Sequence, residues 1–233
     1  MTQLRDSTLV LLTLNEIDGL TALWDQIPVR AFSMVVAVDG GSTDGSREFL
    51  ASKGVPVLDQ PIRGRGVAFR VAAEAVDTAR ILYFSPDGNE DPGDILPLDD
   101  LVAEGAQLAI ARRFGARAIN EEHGSFRPRA RVNQAFTWLA NRLFNENVYL
   151  EDSINGFRAM DRAAFLSLGT DVKRFPIEYQ ISIRAMTRGW RIVELPTVEG
   201  ARIGGERKAL SWPVGMDHLK VLFSELPAAR WFR

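Results

Sequence analysis

Apolar positions in this chain fall in short dense runs, separated by polar turns rich in glycine and aspartate. Residues 8–14, 34–38, 55–58, 81–84 and 108–111 are such runs, each rich in β-branched, aliphatic or aromatic side chains. They are too short for helices and read as buried strands. The stretches between them carry helical patterns. A short helix follows Asn15-Glu16 and runs through Leu23. Another follows the turn at residues 39–46, with Ser42, Thr43 and Asp44 as candidate caps. Residues 64–79 read as a helix with Val67, Val71 and Ala75 on one side, and a further helix lies near residues 94–104. Strands alternating with helices predict a mostly parallel twisted sheet covered on both faces.

The second half has a different rhythm. Residues 114–128 show little apolar periodicity and read as a surface loop. Residues 130–145 predict an amphipathic helix with Val132, Ala135, Phe136, Leu139 and Leu143 on one face. Residues 151–160 read as a turn into a short strand. A helix over 177–188 ends at Gly189, and a strand over 191–195 stops at Pro196. Residues 200–211 read as a glycine- and charge-rich loop. A terminal helix from about Val214 turns Met216, Leu219, Leu222, Phe223 and Leu226 toward one face and ends at Trp231-Phe232-Arg233. At 233 residues the expected organisation is one α/β domain, residues 1–113 and 114–233 forming its two halves.

Composition narrows the chemistry. With 46% hydrophobic and 25% charged residues and a net charge of −2, the chain is neither disordered nor a general nucleic-acid binder. It has no cysteine, which excludes disulfides, thiolate zinc and a thiol nucleophile. Its two histidines, His123 and His218, lie far apart in sequence. No apolar run is long enough to span a bilayer. A cytoplasmic protein is expected, with contact to a membrane face left open by the C-terminal helix.

Two loops at strand ends hold the candidate chemistry. Residues 39–46 and 85–91 both carry carboxylates and would open on the same sheet edge, where open α/β sheets bind ligands. One carboxylate can accept hydrogen bonds from a base or ribose; Asp87 in the other suits Mg²⁺ or Mn²⁺ bridging a diphosphate. Glu90 and Asp91 follow closely. The pairing points to a nucleotide-sugar. Gly64-x-Gly66-x-x-Phe69 lacks the third small residue of a dinucleotide fingerprint, and no P-loop is present.

Six segments in order carry a resemblance: Leu11-Leu-Thr-Leu-Asn15-Glu16, Val38-Asp39-Gly-Gly-Ser42-Thr-Asp44-Gly, Gly64-Arg65-Gly66, Pro86-Asp87-Gly-Asn89-x-x-Pro92, Asn155-Gly156-Phe157-Arg158 and Arg202-x-x-Gly205-x-Arg207-Lys208. Together they resemble the family 2 inverting glycosyltransferases, and within them the polyprenol-phosphate sugar transferases such as dolichyl-phosphate mannose synthase. The resemblance implies a GT-A fold, a nucleoside-diphosphate sugar donor and a divalent metal. It places Thr13, Asn15 and Glu16 in the nucleotide pocket, Asp39 on base or ribose, Arg65 near the nucleotide, and Asp87 on the metal with Pro86 and Asn89 beside it. Ser85 stands where the family has the first aspartate of Asp-x-Asp, and Gly40 where it has a second aspartate. Asp91 is the candidate for a second metal carboxylate.

The acceptor side follows from charge. Arg112, Arg113, Arg117, Arg127, Arg129 and Arg131 crowd one stretch, and Arg202, Arg207 and Lys208 another. Guanidinium groups suit phosphate, so Arg112, Arg127, Arg131, Arg202 and Lys208 are expected to hold a lipid phosphate. A phosphate acceptor is already an anion. A saccharide hydroxyl would need a base; the resemblance places an acceptor-side carboxylate at Asp152, which is the candidate, with Arg158 either catalytic beside it or paired to it. The alternatives are a hydroxyl acceptor and a non-catalytic nucleotide-sugar binder. The terminal helix is expected to pack, to lie on a membrane or to support a homodimer.

Overall fold

Alternation along the first apolar run decides the architecture. In the computed structural model, which describes residues 4–119, 128–204 and 211–228, that run is β1, Arg5–Thr13. Successive side chains of a strand face opposite ways. Leu9 and Leu11 therefore enter one core layer, and Val10 and Leu12 the other. Parallel partners pair both edges of β1, β2 (Phe32–Asp39) on one side and β4 (Arg80–Phe84) on the other, and helices bury both its faces.

β3 (Val57–Asp59), β5 (Leu108–Arg112), β6 (Arg158–Asp161) and β7 (Ile192–Pro196) complete a sheet of order β3-β2-β1-β4-β6-β5-β7 among the described residues. Only β6 runs antiparallel to its neighbours. The sheet is thus shared by residues before and after 113.

α1 (Ile17–Leu23), α2 (Ser46–Ser52) and α4 (Ile95–Ala103) cover the face holding Leu9, Leu11, Leu82 and Phe84. α3 (Arg65–Ala75), α6 (Arg162–Ser167) and α7 (Ile177–Thr187) cover the other. There Phe69 stacks on Tyr83 at 3.9 Å, and the Tyr83 hydroxyl donates to the Phe69 carbonyl at 2.6 Å. The hydroxyl is thereby satisfied inside an apolar layer, where an unpaired one would be costly. A third cluster joins α7 to α5 (Pro128–Phe144) and α8 (Ser211–Glu225).

Three helix faces differ from the expected ones. On α3, Phe69, Ala72 and Ala73 are buried with Val67, while Ala75 is exposed. On α5, Ala130, Phe136, Ala140 and Phe144 face inward and Val132 and Ala135 outward. On α8, Leu222 is buried as expected, but Met216 and Phe223 are exposed; His218, Val221 and Glu225 turn inward. Apolar spacing cannot reveal that Glu225 is drawn in by Gln180 and Arg184 of α7, each within 2.8 Å. α6 was not expected at all; its Asp161 caps Ala164 at 2.7 Å. The loop from residue 114 also carries order: Ile119 bridges Val198 and prolongs the β5–β7 pairing.

One packing feature places the site. The Lys173 carbonyl accepts from the Gly66 and Val67 amides at the start of α3. A Cβ on Gly66 would lie 2.0 Å from the Val172 carbonyl oxygen, and one on Gly64 2.2 Å from that of Lys173. Backbone cannot yield as a side chain end can. Gly66→Ala is therefore expected to cost about 1–3 kcal/mol, as overpacking does. That corresponds to a fall of roughly 2–12 °C in a thermal melt.

Candidate active site

The parallel strands β3, β2, β1 and β4 all end on one edge, and the turns leaving them wall a cleft of about 320 Å³. Thr13 and Glu16 come from the end of β1, Gly40 from β2, Gln60 from the β3–α3 loop, Arg65 from the first turn of α3, and Ser85, Asp87 and Asn89 from the end of β4. Arg129 of α5, Phe175 ahead of α7, Glu199 and Arg202 close the opposite side.

Pro86 and Gly88 end β4 and present Asp87. Its Oδ1 accepts from the Asn89 amide at 3.0 Å, and its Oδ2 from Arg202 Nη1 at 2.7 Å. Arg202 Nη2 lies 2.7 Å from both Glu16 oxygens. One guanidinium thus bridges two carboxylates on the cleft wall.

Backbone pairing delivers it there: Ile203 N–H donates to Asp87 O at 2.7 Å and Gly200 N–H to Asn89 O at 3.0 Å. Gly88, at φ +93°, lets the loop come this close; a Cβ there would sit 2.6 Å from Ile203 Cγ1. Gly19 does the same on the other side, where a Cβ would meet the Pro86 carbonyl at 2.0 Å. Pro86 itself is buried and acts through backbone. Arg202, expected on an acceptor phosphate, is paired with Asp87 and Glu16 instead.

Glu90 reaches back to accept from the Ser85 amide at 2.6 Å. Burial first, and the nearby Asp87 charge second, push its carboxyl up to about 8. Asp91 turns away: it is exposed and accepts from Gly93 N–H at 2.8 Å, capping a 3₁₀ turn. It does not line the cleft, so the expected second metal carboxylate is not Asp91.

Asp39 differs from expectation too. Its Oδ1 accepts from the Gly41 and Ser42 amides and from Arg47 Nη1, and its Oδ2 from the hydroxyls of Thr13 and Ser42. Burial works to raise its pKa, but these hydrogen bonds outweigh it and hold the carboxyl below the usual range. With its acceptors used internally, Asp39 braces the turn under the cleft rather than facing a base or ribose.

Asn15, at φ 52°, fastens the same turn: it donates its amide to Ser42 Oγ and accepts from Thr43 N–H, both at 2.8 Å. Asparagine tolerates this left-handed conformation better than most residues. Asp44 caps as expected, serving two helices: it accepts from Ile17 N–H of α1 and from Ser46 N–H of α2, each at 3.0 Å.

Arg65 stands in the cleft, paired through Nε with Glu178 and 3.3 Å from Ser85 Oγ. Gly156 makes room for it, since a Cβ there would lie 1.9 Å from Arg65 Nη2. This explains the Asn155-Gly156 step in the sequence.

Neither expected acid–base residue reaches the cleft. Asp152 is fully enclosed: Arg113 holds it bidentately at 2.7 and 3.1 Å, and the amides of Arg113, Ile154 and Asn155 fill its remaining acceptor sites. Its partner is Arg113, not Arg158. Arg158 is fully buried, donating to the carbonyls of Asn155 and Glu178, and burial pushes its pKa down to about 10. Both residues brace the site from within the core.

Of the arginines expected on phosphate, Arg112 donates to the carbonyls of Phe114 and Ala116, and Arg131 is exposed on α5 outside the cleft lining. Arg127 and Lys208 lie outside the described residues. Arg63 and Arg129 line the cleft in their place, together with Gln60, Phe175 and Glu199. Only the position of Gln60 and Arg63 after a predicted strand could have marked them. Glu199 and Phe175 carry no local signal.

Comparisons with known proteins bear on the family and the fold. No protein-family model matches the chain. Glycosyltransferase AglJ of Haloferax volcanii is 29% identical over 198 residues, which is 83% of this chain and 62% of AglJ, so the chain spans less than two thirds of that relative. An uncharacterized glycosyltransferase of Mycobacterium tuberculosis is 32% identical over 202 residues, 86% of this chain and 88% of its own length. Among solved structures, glucosyl-3-phosphoglycerate synthase of Mycobacterium tuberculosis in complex with Mn²⁺, UDP-glucose and phosphoglyceric acid superposes with a TM-score of 0.74 at 20% identity. The match covers 95% of this chain and 80% of that one. At such identity the superposition carries the fold. The mycobacterial sequence, matched over most of both chains, carries more: the protein belongs to the glycosyltransferases and has the GT-A fold.

Proposed function

We propose that this glycosyltransferase moves a sugar, with inversion, from a nucleoside-diphosphate donor to a phosphate-bearing acceptor, with Mg²⁺ or Mn²⁺ as cofactor. The observation that carries the reading is the bridge Glu16–Arg202–Asp87. Two carboxylates aimed at one point, held together by a guanidinium, make a place built for positive charge. The donor set is all oxygen, which fits a hard cation. Asp87 would hold it, with Glu16 across and Asn89 beside. When bound, such a cation offsets the charge that develops on a departing diphosphate.

The chain's own residues do the rest. Arg65, oriented by Glu178, and Arg63 present fixed positive charge along the cleft, where a diphosphate would lie, and favour the leaving group as it gains charge. Arg129 brings a further guanidinium to the α5 wall. With Asp152 locked to Arg113, an acceptor that is already an anion suits the site better than a neutral hydroxyl needing a base.

A polyprenyl phosphate meets that requirement, as the resemblance implies. It also gives a use to Val132 and Trp138 on α5 and Phe223 on α8, apolar side chains that stand in solvent. Among the described residues no helix is long and apolar enough to cross a membrane, so such an enzyme would work from the membrane face, alone or as a homodimer. A soluble phosphorylated acid is the second reading, favoured by the phosphoglyceric acid bound in the mycobacterial synthase.

A thermal-shift screen of UDP-, GDP-, CDP- and TDP-sugars with and without Mn²⁺ tests the donor half. A donor at 100 times its Kd stabilises by about 2.7 kcal/mol, a rise of roughly 5–11 °C. Transfer to polyprenyl phosphate in detergent, set beside transfer to phosphoglycerate, then assigns the acceptor. No shift with any donor would end the proposal.

A further inference from the structure

We infer that Gln60 reads the base of the donor nucleotide, and that it does so as a hydrogen-bond donor. The inference rests on the nucleotide-sugar reading and adds to it the class of base.

Position comes first. In the order β3-β2-β1-β4, Asp87 leaves β4 and Gln60 follows β3, three strand spacings away. At about 4.8 Å each, that is roughly 14 Å along the cleft. A nucleoside diphosphate with its phosphates at Asp87 would lay its ribose across β1 and its base toward β2 and β3. Leu12, Leu14 and Val38 line the cleft away from β4, and Arg63, in the loop that carries Gln60, lines it too. Gly40, where the resembled family has an aspartate, leaves that end open: a Cβ there would only graze Leu14 at 3.4 Å. Apolar walls with a missing side chain between them suit a flat ring.

Polarity comes second. Gln60 Oε1 accepts from the Gly64 amide at 2.9 Å. An amide N–H can bond only to the oxygen of the side chain, so the two ends of the carboxamide are assigned by chemistry. Its Nε2 then carries two hydrogens, and among the described residues nothing accepts them. Of the two carboxylates at this end, Asp39 has its acceptors engaged by its own turn and by Arg47, and Asp59 accepts from Arg47 at 2.8 Å. The base end of the cleft therefore offers donors. Bases differ in what they present: thymine and guanine carry an exocyclic carbonyl where cytosine and adenine carry an amino group, and uracil presents thymine's carbonyl. Gln60 selects the keto bases and turns the amino bases away.

Gln60→Glu tests this. The substitution keeps an oxygen for the Gly64 amide and replaces the amide donor by an acceptor. Binding of UDP, TDP, GDP, CDP and ADP is measured by calorimetry for both proteins, with melting curves as the fold control. The wild type is expected to bind its preferred keto nucleotide at least about 10-fold tighter than CDP or ADP, the discrimination that one misplaced hydrogen-bonding group supplies. In Gln60→Glu that ratio should collapse or invert toward CDP. The added negative charge weakens all five diphosphates alike, so the ratio carries the result. Gln60→Met, which has neither donor nor acceptor, should lose the keto preference without gaining an amino one. An unchanged ratio in both variants would leave Gln60 as a loop anchor and overturn the inference while the donor reading stands. A wild type that binds no nucleotide would overturn both.

Discussion

Asp87→Asn is expected to lower turnover by about 100- to 1,000-fold, the scale on which removing one preorganised electrostatic contact acts, while leaving the fold in place. The amide still accepts from Asn89 N–H through Oδ1, and Arg202 keeps Glu16 as partner. The loop carrying Arg202 stays paired through the Ile203–Asp87 and Gly200–Asn89 backbone bonds, which the substitution does not touch. What is lost is the negative charge facing Arg202, and with it the carboxylate that would bind a cation. Two measurements together check this. The Mn²⁺-dependent part of the donor-induced thermal shift should vanish, and kcat should fall far more than melting temperature. Wild-type turnover in Asp87→Asn would remove the chemical basis of the proposed function.

Asp152→Ala should act in the opposite way, on stability before chemistry. Asp152 is fully enclosed, and its loss strands the Arg113 guanidinium with Glu199 at 3.7 Å as the remaining carboxylate. Burial opposes the charge of Arg113, and Asp152 is the foremost group that offsets it. Removing one partner of a buried pair costs about 3–5 kcal/mol, here a fall of roughly 6–20 °C in melting temperature. Three backbone amides that Asp152 satisfies are stranded as well. Had Asp152 been a general base, the pattern would reverse: intact melting with abolished turnover. A variant with wild-type melting and no activity would return Asp152 to the chemistry.

The two residues show how far the sequence could be read. Asp87 was legible because its presentation is local. Residues 81–84 must be a strand, Pro86 and Gly88 must end it, and the loop must open at the carboxyl edge of a parallel sheet. Asp152 and Asp39 were misread for a common reason. Each lies in a turn of the kind that carries chemistry, but whether a carboxylate faces a cleft or its own backbone depends on the amides folded around it. For Asp39 these are Gly41 and Ser42; for Asp152 they are Arg113, Ile154 and Asn155. Arg202 shows the same limit from the other side: its charge was plain, but its partners lie 115 and 186 residues away.

By itself the sequence determined the alternation of strands and helices and the sheet edge on which the site opens. These follow from periodicity and turn chemistry, both of which act over a few residues. Tertiary structure alone decided which charge meets which: that Arg113 rather than Arg158 takes Asp152, that Glu16 and Asp87 share Arg202, and that Glu225 turns inward on α8. Ion pairing reaches only a few ångströms through space and is indifferent to separation along the chain, so it is settled when the elements pack.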